Sequence, residues 1–249
     1  MAVPTQLAIV GGTGMEQWPD AQQTAQYAPD TPYGKASAPV QAVTIAGNEV
    51  LLLSRHGAGH DVAPHLINYR ANIMALKALG ATHIVARKAV GIIGTEAPPG
   101  GLLLPDQLID YSWGRASTFF DGTDEPLQHT AFNTPYDAQL RSSLLNAAAR
   151  GRIALYDGGT YAATQGPRLE TNAEVDRLER DGASVIGMTG MPEAVLAAEA
   201  GLAYASVALI VNRAAGRGSP DIHAEYRAHM QAARDASVAL ITILCRDGV

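Results

Sequence analysis

Short apolar runs that stop at glycine alternate along this chain with longer stretches whose apolar residues recur at helical spacing, and no other feature restricts the fold as much. Gln6 to Val10 reads as a buried strand ending in Gly11-Gly12-Thr13-Gly14, while Val40 to Ala46 and Val50 to Leu53 flank Gly47-Asn48 as a hairpin. From Pro64 to Leu79 the residues Leu66, Ile67, Tyr69, Ile73, Met74, Leu76 and Leu79 fall near a helical period, and Gly80 supplies a left-handed stop. Further strands are predicted at Thr82 to Val90, Leu102 to Asp110, Ile153 to Thr164, Ser184 to Met188 and Leu202 to Val211. Helices are predicted at Asp137 to Arg150, from Thr171 to about Asp181, and at Ala224 to Leu244; Thr171 with Glu174 three residues on is a capping-box pattern. The order is that of an α/β fold, and 249 residues with 47% hydrophobic content suit a single domain spanning 1–249.

A lone cysteine, Cys245, excludes an internal disulfide, and no basic-apolar-small leader pattern precedes Gly11-Gly12, so the cytoplasm is the expected compartment. The longest apolar run, Ala194 to Val211, is interrupted by Glu199 and Gly201 and reads as a short helix, a stop and a strand rather than a membrane span. Net charge is −6 with both signs interspersed, which makes nucleic acid and membrane surfaces poor partners. An anionic ligand therefore has to meet a local cluster of donors. The longest stretch without periodicity, Tyr111 to Tyr136, has the length of a functional loop.

Three strand ends supply donors of that kind. Gly11-Gly12-Thr13-Gly14 offers backbone N–H groups and a hydroxyl suited to a phosphate oxygen, although such turns also arise simply because glycine allows positive φ. It is not a dinucleotide fingerprint, because the third glycine and a following long helix are missing. Ser54-Arg55-His56-Gly57 presents a planar guanidinium fork and, in His56, a second donor. Gly187-Met188-Thr189-Gly190-Met191-Pro192-Glu193 brings a hydroxyl and amides to a strand end just before a helix N-terminus. His60 and His65 lie near in sequence, but neither a cysteine nor a paired carboxylate completes a metal shell, so no metal is expected.

These blocks, with Pro64-His65, Asn68-Tyr69-Arg70-Ala71-Asn72 and Gln165-Gly166-Pro167-Arg168-Leu169-Glu170-Thr171, resemble in order and spacing the trimeric purine nucleoside phosphorylase and methylthioadenosine phosphorylase family from about Leu7 to Asn212. Among its members the likeness leans towards the bacterial methylthioinosine phosphorylases. The resemblance implies a central mixed, twisted, partly barrel-like sheet flanked by helices, no cofactor, inorganic phosphate as co-substrate, and a homotrimer. It implies that Thr13, Arg55, His56, the backbone at Ala89 and Thr189 hold phosphate, with Lys88 beside them, and that Met188 lies against the ribose. Leu169, Glu170 and Asn212 then face the base. The family's 6-oxopurine enzymes place an asparagine where Asn212 stands and a carboxylate where Glu170 stands, to accept a ring N1–H that adenine lacks; Glu170 as a mere helix-start charge is the plainer alternative. His56 and Asn212 are expected to serve the chemistry, in which an oriented phosphate captures an oxocarbenium-like sugar as the purine leaves.

Two features of the resemblance pull apart. His223, followed by Glu225, resembles a histidine that bonds a ribose 5′-hydroxyl and so favours inosine or guanosine, whereas the whole-chain likeness favours methylthioinosine. His129 matches a position that reaches into a neighbouring copy's pocket. In Arg87-Lys88-Ala89-Val90-Gly91-Ile92 the chain departs from the family, with Lys88 in place of a threonine or asparagine and Ile92 in place of a second glycine. Lys88 either adds positive charge to the phosphate site or points away, and Ile92 brings a branched side chain where a ligand needs bare backbone. Those two departures keep open a nucleoside-binding pseudoenzyme, and the glycine loop keeps open a small dinucleotide-dependent enzyme.

Overall fold

The computed structural model describes residues 6–12, 18, 21–120, 122 and 126–249. Among these residues eleven strands pair in one mixed sheet: β1 (Leu7–Gly11), β2 (Gln22–Tyr27), β3 (Val40–Ile45), β4 (Asn48–Ser54), β5 (His83–Ile92), β6 (Leu102–Leu104), β7 (Gln107–Asp110), β8 (Leu155–Asp157), β9 (Thr160–Ala163), β10 (Val185–Gly187) and β11 (Ala203–Arg213). The helices are α1 (Tyr69–Ala78), α2 (Ala138–Gly151), α3 (Asn172–Arg180), α4 (Glu193–Glu199) and α5 (Ile222–Asp247), with a 3₁₀ turn at Pro64–Leu66.

The sheet branches at β5. Its first half lies between parallel β1, where Leu7 to Val10 pair with His83 to Ala86, and parallel β11. Further along, β10 comes in antiparallel at Gly91 and Ile92 on the side that β1 has left. Between these ladders residues 87–90 face no paired strand on that side among the described residues, and a crevice lies there at the ends of β1 and β4. Ligand crevices in α/β sheets form where neighbouring strands diverge in this way.

Buried parallel strands read as continuous apolar runs, and β1 is buried at all five positions. Ile73, Leu76, Ala194 and Leu196 of α1 and α4 pack on one face of the sheet; Leu140, Leu144, Leu240, Ile241 and Leu244 of α2 and α5 pack on the other. Side chains close the helix starts: Asn68 accepts from Ala71 N–H, Asp137 from Leu140 and Asp221 from Ala224, and Thr171 with Glu174 forms the full capping box of α3 that the sequence predicts.

Four elements differ from the sequence reading. The single strands expected at Leu102 to Asp110 and Ile153 to Thr164 are each two, broken at Pro105-Asp106 and at Gly158-Gly159, whose φ values are +90° and +104°. The two breaks are matched: β6 and β8 pair in parallel beside β11, then β7 and β9 pair in parallel beside β10. Bending together, these segments link the two branches of the sheet and give it its partly barrel-like curvature. Strand β2 escaped notice because Gln-Gln-Thr-Ala-Gln-Tyr is polar, and it forms an exposed edge paired only with β3. The helix expected from Pro64 starts instead at Tyr69, after the 3₁₀ turn. Among the described residues of Tyr111 to Tyr136 there is no helix or strand.

Candidate active site

A cavity of about 450 Å³ occupies the crevice. Arg55, His56, Lys88, Ala89, Leu169, Glu170, Met188, Thr189 and Asn212 all line it, although they come from five separate stretches of chain. Gly12 lines it as well; Thr13 and Gly14 lie outside the described residues.

Arg55 does not present an open fork. It follows β4, is 1% exposed, and fills the gap left where β1 and β5 diverge: one terminal nitrogen donates to the Arg87 carbonyl at 3.2 Å and the other to the Val10 carbonyl at 3.3 Å. Nε and that second nitrogen also donate to both carboxylate oxygens of Glu193. The guanidinium thus mends the sheet and is oriented by a buried carboxylate. Since Arg87 turns its carbonyl to the gap, strand alternation turns the Ala89 amide to the same side, where no strand takes it.

Glu193 is the residue that the motif reading missed. It opens α4 and was read there only as part of an anion-attracting helix start, yet it is 1% exposed and faces the sheet. Its Oε1 also accepts from Lys88 Nζ at 2.6 Å and from the Tyr204 hydroxyl at 2.8 Å. Burial alone pushes the carboxyl up, but Arg55 and Lys88 outweigh it and hold it well below the ordinary carboxylate range. The Lys88 amine turns into this buried network, although the residue also lines the cavity. Ile92 corrects an expectation. Its side chain is buried in the core between β10 and β11, outside the cavity lining, and it is Gly91 that meets the cavity.

His56 also differs from its expected part as a second donor. Nδ1 donates to the Val62 carbonyl at 2.8 Å, and burial first, then Arg55 and His60, depress its pKa to about 4. A neutral imidazole with its proton on Nδ1 leaves Nε2 as an acceptor. Thr189 is buried, and its backbone N–H reaches the Tyr161 hydroxyl at 3.4 Å.

At the other end of the cavity, Glu170 precedes the α3 cap and accepts from the Thr164 hydroxyl at 2.7 Å. The first-turn acid of α3 is Glu174, so Glu170 is not needed as the helix-start charge. Asn212 lies opposite Gly91 in the ladder, just after an irregularity between Ile210 and Asn212, and its Nδ2 donates to the Arg213 carbonyl. A third wall is formed by Leu209, Val211, Ile222, Tyr226 and Met230. His223, on α5 beside Ile222, is exposed and outside this lining, because the helix turns its neighbours inward and the histidine away. His129 is likewise exposed and apart from the cavity of its own chain.

Arg115, in the aperiodic segment, gave no signal in the sequence. Its guanidinium donates to the carbonyls of Met188, Met191, Thr164 and Gln165 and to the Tyr69 hydroxyl, tying together the two turns that carry Thr189 and Glu170. Among the described residues no cluster of three or more His, Cys, Asp or Glu is placed to hold a metal ion, and no helix is long and apolar enough to cross a membrane.

Known proteins are similar to this chain in sequence and fold. The chain is 46% identical over 242 residues to a "Probable S-methyl-5'-thioinosine phosphorylase" of Xanthomonas campestris pv. campestris, covering 96% of this chain and 97% of that one. It is 41% identical to a "6-oxopurine nucleoside phosphorylase" of Pyrococcus furiosus, over 94% and 90% of the two chains. Among solved structures, a methylthioadenosine phosphorylase from an antarctic soil metagenomic library superposes with a TM-score of 0.89 at 33% identity, over 97% of this chain and 85% of that one. The methylthioadenosine phosphorylase of Schistosoma mansoni in complex with adenine gives 0.88 at 26% identity, over 96% and 91%. The family model described as "Phosphorylase superfamily" matches residues 6–246, and the chain belongs to that superfamily.

Proposed function

We propose that the chain cleaves the N-glycosidic bond of a 6-oxopurine nucleoside by phosphorolysis, with a 5′-methylthio nucleoside, S-methyl-5′-thioinosine, as the preferred substrate. The observation that carries this reading is a single cavity with three chemically distinct walls: cations and free amide at one end, Glu170 and Asn212 at another, and an apolar surface between β11 and α5. Hydrogen phosphate sits over Arg55, Lys88, the Ala89 amide and Thr189, and its O–H is received by His56 Nε2. One phosphate oxygen bonds to the anomeric carbon as the carbon–N9 bond breaks. The electron pair leaves with the purine, and the proton that phosphate carried ends on the base. Positioning of this kind, with charge set where the sugar cation develops, is the main catalytic resource of such a site.

Glu170 accepts the N1–H of a 6-oxopurine, and adenine would set a lone pair against it, at a cost of about 1–3 kcal/mol for the unmade buried contact. Ile222, Tyr226 and Met230 line the wall where a 5′ substituent goes, with His223 turned away, and so they favour a methylthio group over a hydroxyl. Superfamily membership and the names carried by the relatives support the same reaction. No cofactor enters the scheme. A homotrimer is part of the proposal, with His129 offered to a neighbouring copy; the exposed Leu66, Trp113 and Leu127 suit a surface that another copy covers.

The test is base release, measured for methylthioinosine, inosine, guanosine and methylthioadenosine at equal concentrations. The expected order of kcat/KM puts methylthioinosine first and methylthioadenosine last, by about tenfold to a thousandfold. A preference for inosine transfers the proposal to a 5′-hydroxyl enzyme; release from none of the four rejects it.

A further inference from the structure

Arg55 and Lys88 are two cations that share one carboxylate. All acceptor positions of Glu193 in use here point into the network: Arg55 takes both oxygens, and Lys88 and Tyr204 add to Oε1. Lys88 also donates to the Tyr204 hydroxyl at 2.8 Å and lies over that ring. With both bases protonated the cluster carries one positive charge more than Glu193 balances. Both basic side chains are almost wholly shielded from water, at 1% exposure, and both residues line the cavity floor. An uncompensated buried charge is costly, and an anion placed in the adjoining cavity is what offsets it.

We propose that Lys88 is a positioning residue that holds surplus positive charge under the oxyanion end of the cavity, acting through Glu193 and Arg55, and thereby sets how tightly this chain binds its anionic co-substrate. The proposal rests on the reading that an oxyanion occupies that end. A neutral side chain at position 88 would leave Arg55 and Glu193 balanced, so the surplus belongs to Lys88 alone.

The charged and titratable groups that face the amine are Arg55 at the end of β4, Glu193 on α4 and Tyr204 on β11, with Tyr136 stacked behind Tyr204. Burial first, then Arg55, lower the Lys88 pKa to about 7 in spite of Glu193. The surplus charge is accordingly present below neutrality and lost above it. Arg55 is held charged throughout, and the depressed pKa of His56 keeps that ring neutral across the same range.

Sulfate is the probe, because it stays doubly charged across this range whereas phosphate itself titrates near neutrality. Its affinity for wild-type protein, measured by calorimetry from about pH 6 to about pH 8.5, is expected to fall by roughly tenfold or more, the size expected for one charge at close range in a partly shielded site. Lys88→Met is expected to bind weakly at every pH without that slope, and Lys88→Arg tightly at every pH. A thermal melt of each variant at both ends of the range checks that it is folded. A wild-type affinity that does not change with pH, or a Lys88→Met variant that keeps the slope, overturns the assignment to Lys88 while leaving the oxyanion site standing. Absence of sulfate and phosphate binding to the wild type at any pH overturns the oxyanion reading, and the Lys88 proposal with it.

Discussion

Glu193 shows how one side chain can decide both stability and chemistry. It was visible in the sequence as the last residue of a motif, but a motif gives no burial, and only burial turns a helix-start acid into the shared partner of Arg55 and Lys88. Glu193→Gln removes a carboxylate paired with two buried cations, and a broken buried pair of this kind costs about 3–5 kcal/mol. Urea denaturation is expected to show that loss, together with loss of phosphate binding; an unchanged midpoint would mean that the cations find other partners. Arg115 behaves differently, because its acceptors are four carbonyls and a hydroxyl, neutral groups that water can satisfy. Arg115→Met is predicted to lower kcat/KM by about tenfold to a hundredfold through misplacement of the Met188–Met191 turn and Glu170, with partial recovery in Arg115→Lys. Equal effects on activity from a distant exposed arginine such as Arg246 would remove its special part.

The predicted elements follow from local physics that acts over a few residues: the capping box of Thr171 and Glu174, and largely apolar runs for β1 and β11. Gly12, Arg55, His56 and Thr189 were legible as donors near strand ends beside glycine, whereas Lys88, Ala89, Leu169, Glu170, Met188 and Asn212 were placed by the family resemblance. What was not legible depends on pairing between distant segments. The matched bends at Pro105-Asp106 and Gly158-Gly159 exist because two strands change neighbours together, and nothing within either segment states that. His223 is exposed and outside the cavity lining because a helix presents adjacent residues to different directions, so a motif position one residue out of phase turns away from the cavity. Gly91 tests the element scale directly. A Cβ there would stand 3.1 Å from Asn212 Nδ2 and 3.3 Å from Ile186 Cγ2, so Gly91→Ala is predicted to push Asn212 aside and cut kcat/KM by about tenfold or more. Thr171→Ala is the contrast, since it removes the α3 cap at a cost of about 1 kcal/mol in stability with turnover nearly unchanged. Kinetic loss of equal size in both variants would contradict this separation.

The crevice holds two groups, His56 and Glu193, whose pKa values are strongly depressed, and the acid stability of the molecule should report them. His56 has a folded pKa depressed to about 4 against an ordinary 6.5, so the stability it contributes is present above about 6.5 and is lost as pH falls towards 4. The carboxyl of Glu193, also held low, extends the loss on further acidification. Denaturation midpoints across that range should fall with pH, and His56→Asn should flatten the upper part of the fall. Beneath these effects lies one claim, that the crevice where β1 leaves β5 directs inorganic phosphate at an anomeric carbon. Phosphorus NMR of the protein with methylthioinosine and inorganic phosphate tests it most directly. The account predicts that a sugar 1-phosphate resonance grows as the inorganic phosphate signal shrinks, with hypoxanthine released in equal amount and none released when phosphate is left out. Hypoxanthine released at the same rate without phosphate, or no new phosphorus signal at all, would contradict it.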